Sequence, residues 1–141
     1  MLRTVLLAYD GAEEAEEALA LSIELVRCLQ ADMHIVAVVG GGREPSGANI
    51  EADRRHAWQR LRDAEELTAR AGLKVRFEVL DGEPAARIVE HARRVAADII
   101  VLGHRRHGRL DPPTGGSVGG LVLEQATCAV LFPPVRRPSD A

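Results

Sequence analysis

Aromatic residues are nearly missing from this chain and make up only 3% of its 141 residues. Any core must therefore be filled by Val, Leu, Ile and Ala. No row of stacking rings exists to hold single-stranded nucleic acid. Cysteine is scarce too: Cys28 and Cys128 are the only two. Neither belongs to a C-x-x-C pair, so a disulfide framework is excluded and a reducing compartment is expected. Both thiols are expected to be buried as small hydrophobes. No apolar run is long enough to span a bilayer, which excludes a membrane role. An excess of positive charge is also missing. The formal net charge is -3, which excludes a general nucleic-acid binder. The opening Met1-Leu2-Arg3-Thr4-Val5 has no charged leader with a cleavage site, and the reading is a cytoplasmic protein.

What is there is ordinary for a water-soluble globular chain, at 46% hydrophobic and 28% charged. The length suits one domain over 1–135, with 136–141 as a disordered tail. Strand-like and helix-like segments alternate. Thr4 to Ala8 is a short apolar run, broken by Asp10-Gly11. A helix follows to about Gln30, with Ala15, Ala18, Leu19, Ser22, Val26 and Leu29 on one face. Met33 to Val39 reads as a strand, and Gly40 to Gly47 as a flexible loop. A second helix runs from about Asn49 to Arg70 on Ile50, Ala57, Leu61, Ala64 and Leu67, and Gly72 stops it. Val75, Phe77 and Val79 alternate with Arg76 and Glu78, as on an edge strand. Pro84 suits a first helical turn, and that helix reaches about Ala97. Asp98 to Leu102 is the most buried strand. A short helix from about Ser117 to Gln125 leads to a last strand at Cys128–Phe132. The alternation predicts an α/β fold: a single open parallel five-stranded sheet, with helices on both faces. Ligands of such sheets sit beyond the strand C-termini, here near Asp10 and Gly103.

The chemistry-bearing stretch is Val101-Leu102-Gly103-His104-Arg105-Arg106-His107-Gly108, followed by Gly115-Gly116-Ser117. A buried strand stops at glycine, a basic segment follows, and a second glycine pair opens a helix. Glycines let a backbone approach an anion, and helix-start amides point at it. Ser117 reads equally as an ordinary helix cap. Asp10 reads as a ribose or metal partner, or as a turn and cap residue. Gly119-Gly120 weakens its helix unless close packing or a ligand offsets the cost. His34, His56 and His91 read as ordinary surface or strand-end residues. No His/Cys cluster has metal-site spacing, and no Ser-His-Asp or paired-carboxylate set stands out.

Together these residues resemble the universal stress protein family. The resemblance runs from Val5 to Pro133. It is carried by the strand ending in Asp10-Gly11, by Gly82-Glu83-Pro84-Ala85 with Ile88 and Ala92, by Ala97-Asp98-Ile99-Ile100-Val101-Leu102-Gly103, and by Gly116-Ser117-Val118 with Cys128-Ala129-Val130-Leu131. It implies the strand order 3-2-1-4-5 and a homodimer joined along the last strand, 128–132. ATP-binding members carry a glycine, two residues, a glycine, nine residues, then glycine with Ser or Thr. On this chain the first glycine is Gly103 and the final pair is Gly116-Ser117, but Arg106 stands at the second glycine. The resemblance places Asp10, Val38, Gly103, Gly116 and Ser117 at the nucleotide. The candidate nucleotide-binding set adds Tyr9, Leu102 and Val118 beside them, and Arg105 and Arg106 for their positive charge. Asp10 and Val38 flank the nucleoside, and Mg²⁺ or Mn²⁺ bridges the phosphates of a bound ATP.

Arg106 has two readings. Its side chain fills the phosphate space, or its guanidinium contacts phosphate. The first makes the chain a nucleotide-free dimeric interaction module; the second makes it a nucleotide-binding regulator, at most a slow ATPase. An enzyme for some other phosphorylated substrate is a third reading. Protein partners are expected without being identifiable, and nucleic acid and membrane are not among them.

Overall fold

Each apolar run expected as a strand pairs with its neighbours, and each amphipathic run closes over them. The computed structural model describes residues 1–11, 13–40, 47–103 and 117–134. Residues 41–46 of the expected Gly40–Gly47 loop, the basic segment at 104–116 and the tail lie outside the described residues, and Gly47 begins a helix rather than ending the loop. In chain order the elements are β1 (Thr4–Ala8), α1 (Glu13–Leu29), β2 (Asp32–Val39), α2 (Gly47–Arg70), β3 (Val75–Asp81), α3 (Pro84–Arg94), β4 (Ile99–Leu102), α4 (Val118–Gln125) and β5 (Ala129–Leu131). The sheet has five strands in the order β3-β2-β1-β4-β5, every pair parallel, as expected.

Strand alternation sorts the side chains onto two faces. Val5 and Leu7 of β1, Met33 and Ile35 of β2, and Val101 of β4 face Ala18 and Leu19 of α1 and Leu61 of α2. Leu6, Val36 and Ile100 face Ala85, Ile88 and Val89 of α3 and Val122 of α4. All four residues of β4 are buried, as its unbroken apolar run requires. β3 alternates exposed and covered positions at the sheet edge, as its period of two predicts.

Three helices end in the same way. The amide of Ala31 bonds to the Val26 carbonyl, that of Leu73 to Thr68, and that of Ala97 to Ala92, each reaching back around a left-handed residue. Those residues are Gln30 (φ 52), Gly72 (φ 75) and Ala96 (φ 55). This is the Schellman ending, in which glycine is the preferred left-handed residue. Gly72 fits that preference, while Gln30 and Ala96 adopt the conformation at a steric cost. Ala96 also explains why α3 stops at Arg94 rather than near Ala97.

Some expectations are corrected. Leu67 is 41% exposed, and Thr68 is buried in its stead. The Thr68 hydroxyl donates to the Ala64 carbonyl at 3.0 Å, so a polar group is satisfied inside the helix face. Cys28 is exposed rather than buried, and Cys128 is half-buried. His91 is buried rather than on the surface. Asp98 does more than begin a strand. Its carboxylate accepts from the amides of Arg3 at 2.8 Å and Thr4 at 3.0 Å, locking the starts of β1 and β4 together. Those two bonds hold its carboxyl below the usual carboxylate range.

Candidate functional site

β1 lies between β2, followed by α2 on one face, and β4, followed by α4 on the other. The winding of the chain therefore reverses across β1, which is where open sheets of this kind place a ligand crevice, beyond the strand C-termini. Several of the sequence-predicted residues meet at that edge. Leu102 is buried and pairs with Ala8, both on the α3/α4 face. Val38, half-buried on the same face, pairs with Leu80 and extends the apolar floor toward β3. Asp10 is exposed, one residue past Tyr9 and directly before Gly11.

Gly103 ends β4 for a steric reason. A Cβ built there would stand 2.9 Å from the carbonyl carbon and oxygen of Glu14 and 3.1 Å from the Ala15 amide nitrogen. The first turn of α1 therefore packs directly on the glycine, and any side chain would push the helix off the sheet.

Ser117 is the N-cap of α4. Its backbone is extended, and its hydroxyl accepts from the Gly120 amide at 3.0 Å. The Leu121 amide reaches the Ser117 carbonyl at 3.1 Å. The amides of Val118 and Gly119 lie ahead of the first intrahelical bonds, which is the donor arrangement an anion uses. The Val118 side chain is exposed. Gly119 is accounted for by packing: a Cβ there would meet the Phe132 ring at 2.7 Å. Arg105, Arg106 and Gly116 lie outside the described residues.

Tyr9 stands apart from the other predicted residues. Its ring is buried in the α1/α2 core, on the opposite face from Val38 and Leu102. Its hydroxyl donates to Glu16. Burial, then the Glu16 carboxylate, pushes the phenol above its ordinary range, so it stays protonated.

Two features escaped the sequence reading. Arg60 of α2 lies across Gly11, with its Nε buried and without a hydrogen-bond partner. It is one of four arginines between 54 and 62, and nothing in that run singles it out. The second feature is a polar corner on the α3/α4 face. His91 Nδ1 lies 3.3 Å from Glu78 Oε2, and the His34 ring stands edge-on to His91 with centroids 6.3 Å apart. Burial lowers the pKa of both imidazoles. For His34 the neighbouring His91 and Arg76 add to this, while Glu78 opposes it at His91.

At the far end of the sheet a cavity of about 240 Å³ opens beside Ala92, Arg93, Ile100 and Cys128, well away from the crevice. Burial raises the Cys128 thiol, which is a reason against nucleophilic use. Among the described residues no group of three or more His, Cys, Asp or Glu is arranged to hold a metal ion. No described helix is long and apolar enough to cross a membrane.

The architecture defines the class: an open, parallel α/β domain whose winding reverses beside β1. The chain belongs to the universal stress protein family, whose model matches residues 1–134. It is 28% identical to universal stress protein MJ0531 of Methanocaldococcus jannaschii, over 98% of this chain and 84% of the relative. A solved structure from the universal stress protein family of Burkholderia pseudomallei is 27% identical and superposes with a TM-score of 0.76, covering 93% of this chain and 96% of that one. The universal stress protein from Archaeoglobus fulgidus in complex with dAMP shares the fold at 23% identity and a TM-score of 0.70, covering 94% of this chain and 97% of that one.

Proposed function

We propose that this chain is a regulatory module that binds an adenine nucleotide, ATP in the first place, at the C-terminal ends of β1 and β4. The observation that carries the reading is Ser117. The residue that closes the glycine–serine motif is also the N-cap of α4, so the motif ends where helix amides are available to an anion. The dAMP held by the Archaeoglobus fulgidus relative supports an adenine nucleotide as the ligand class.

In this reading Val38 and Leu102 give the base an apolar wall, and Asp10 accepts from ribose hydroxyls. Gly103 ends β4 under the first turn of α1 and opens the segment that leads to the phosphates. The amides of Val118 and Gly119, with Arg105 and Arg106, neutralise its charge. Bound ATP brings its own chelating oxygens, so Mg²⁺ or Mn²⁺ is held chiefly by the phosphates. Among the described residues no side chain stands out as a general base for the phosphates, and the reading is of slow hydrolysis at most. Output then passes through protein partners in the cytoplasm. The chain pairs with a second copy along β5, whose Ala129 is exposed and whose Val130 and Leu131 are half-buried at the sheet edge.

Isothermal titration with ATP and magnesium tests the reading. Saturable heat that AMP competes away is the expected result. No heat and no competition at about millimolar nucleotide would overturn it. Arg106 favours a second reading, a nucleotide-free interaction module. If the parent binds nothing and Arg106→Gly gains ATP binding, that second reading holds.

A further inference from the structure

The side chain of Arg60 has a place in the fold but, among the described residues, no polar partner. A Cβ built on Gly11 would stand 2.6 Å from Arg60 Cδ and 3.1 Å from its Cγ. The aliphatic stem therefore crosses the β1–α1 turn one residue past Asp10. Gly11 permits this twice over, having no side chain and a left-handed backbone at φ 78. Arg60 Nε is buried and makes no hydrogen bond. Among the described residues no ion pair holds the guanidinium, and Asp63, three residues further along α2, does not pair with it.

Arg87 provides the contrast. It crosses Gly82 in the same manner, with Nε 3.1 Å from a Cβ built there, and its Nε is also unpartnered. Its Nη1, however, reaches Glu90 Oε2 at 2.9 Å, so its charge is matched within α3. Among the described residues Arg60 has no such match. Buried donors without acceptors are rare in native proteins, and each one asks for an explanation. An acceptor arriving at the β1–α1 turn from outside the protein supplies one.

The sheet order says which part of a ligand that would be. β4, which leads to Ser117 and the phosphate side, lies to one side of β1; β2, on which α2 packs, lies to the other. We propose that Arg60 is a further ligand-binding residue of the crevice, meeting the nucleoside end of the nucleotide from the α2 side. This rests on the nucleotide reading above. The guanidinium is planar and permanently charged. It can donate to ring nitrogens or ribose oxygens, or lie flat on a base.

A contact at the nucleoside end carries a signature that general positive charge does not. Its loss weakens ATP, ADP and AMP by the same factor, whereas the loss of a phosphate contact hurts ATP most. The experiment is a competition titration of the three nucleotides against the parent, Arg60→Gln, Arg60→Lys and Gly11→Ala. Arg60→Gln is expected to weaken all three about tenfold, with the ligand-free melting temperature close to that of the parent. Gly11→Ala keeps the charge and displaces the stem, and the same loss is expected. If Arg60→Gln melts early, Arg60→Lys carries the test, because it keeps the stem and charge but loses the planar fork; the common loss must appear there too. Parent-like affinities in Arg60→Gln, or a loss that grows with phosphate number, overturn the inference and leave the nucleotide reading intact. A parent that binds none of the three overturns both.

Discussion

Two adjacent rows of side chains cross this sheet, and they differ in kind. One runs Phe77, Ile35, Leu7, Val101, Leu131 from edge to edge and is apolar throughout. The next runs Arg76, His34, Leu6, Ile100, Val130 and turns polar at the β2–β3 corner. The first row lies under α1 and α2, helices of 17 and 24 residues. The second lies under α3 and α4, of 11 and 8 residues. The backbone pairing is continuous through both rows, so the difference lies in what docks on them. One face is a dry support. The other is covered by shorter helices, carries a titrating corner, and includes the Val38 and Leu102 side of the crevice.

The largest expected effect separates the two faces directly. Leu6 and Leu7 are neighbours in β1, both fully buried, and point to opposite faces. Leu7→Ala is expected to cost about 4 kcal/mol and Leu6→Ala about 3 kcal/mol, because the shorter helices above Leu6 can settle into the space left. Urea unfolding of the two variants measures this, and the reverse order would remove the distinction. Next comes the junction between the faces. Gly103→Ala drives a Cβ into the α1 backbone and is expected to cost about 2 kcal/mol by the same measurement. A neutral substitution would mean that α1 does not rest on that glycine.

Acid should loosen the α3/α4 face in particular. His34 and His91 both titrate below the ordinary 6.5 in the folded protein. The unfolded chain therefore binds protons first as the pH falls. Their contribution to stability is present above 6.5 and is lost as the pH drops through the folded values. When both are charged they face each other, Arg76 and Arg94, with Glu78 and Asp32 as the opposing carboxylates. The urea midpoint is expected to fall between about pH 8 and about pH 5, and the fall should shrink in a His34→Gln, His91→Gln double variant. An unchanged slope in the double variant would assign the effect elsewhere.

The smallest expected effects concern the helix ends. Gln30→Gly and Ala96→Gly relieve left-handed residues and should each raise stability by about 0.5 kcal/mol, one under each face. A loss in either variant would show that its side chain contributes more than its backbone costs.

Much of this architecture could be read from the residues. The apolar runs fixed the strands, and the helical spacing of Ala15, Ala18, Leu19, Ser22 and Val26 identified the buried stripe of α1. Gly72, Pro84 and Ser117 marked helix ends because each solves a specific backbone problem. The misreadings have a common physical form. Leu67 and Thr68 differ by one helical step, and hydropathy cannot see that the threonine hydroxyl satisfies itself on the Ala64 carbonyl. His91 looked like a surface residue because the Glu78 that meets it is on another element. The left-handed Gln30 and Ala96 carry no glycine to announce them. For the candidate site, the motif was legible as a spacing. Two things were not: that Gly103 answers to the α1 backbone, and that Arg60 reaches the turn after Asp10. Both depend on where a helix lies in space.

The proposed function requires a nucleotide bound at the ends of β1 and β4. Amide-resolved NMR titration with ATP and magnesium tests this most directly. Saturable shifts are expected at Asp10, Gly11, Val38, Gly103 and Ser117–Val118, with the amides of Ala92, Ala97 and Cys128 at the far end of the sheet unmoved. A spectrum that does not change at saturating nucleotide, or shifts gathered at the far end, would contradict it.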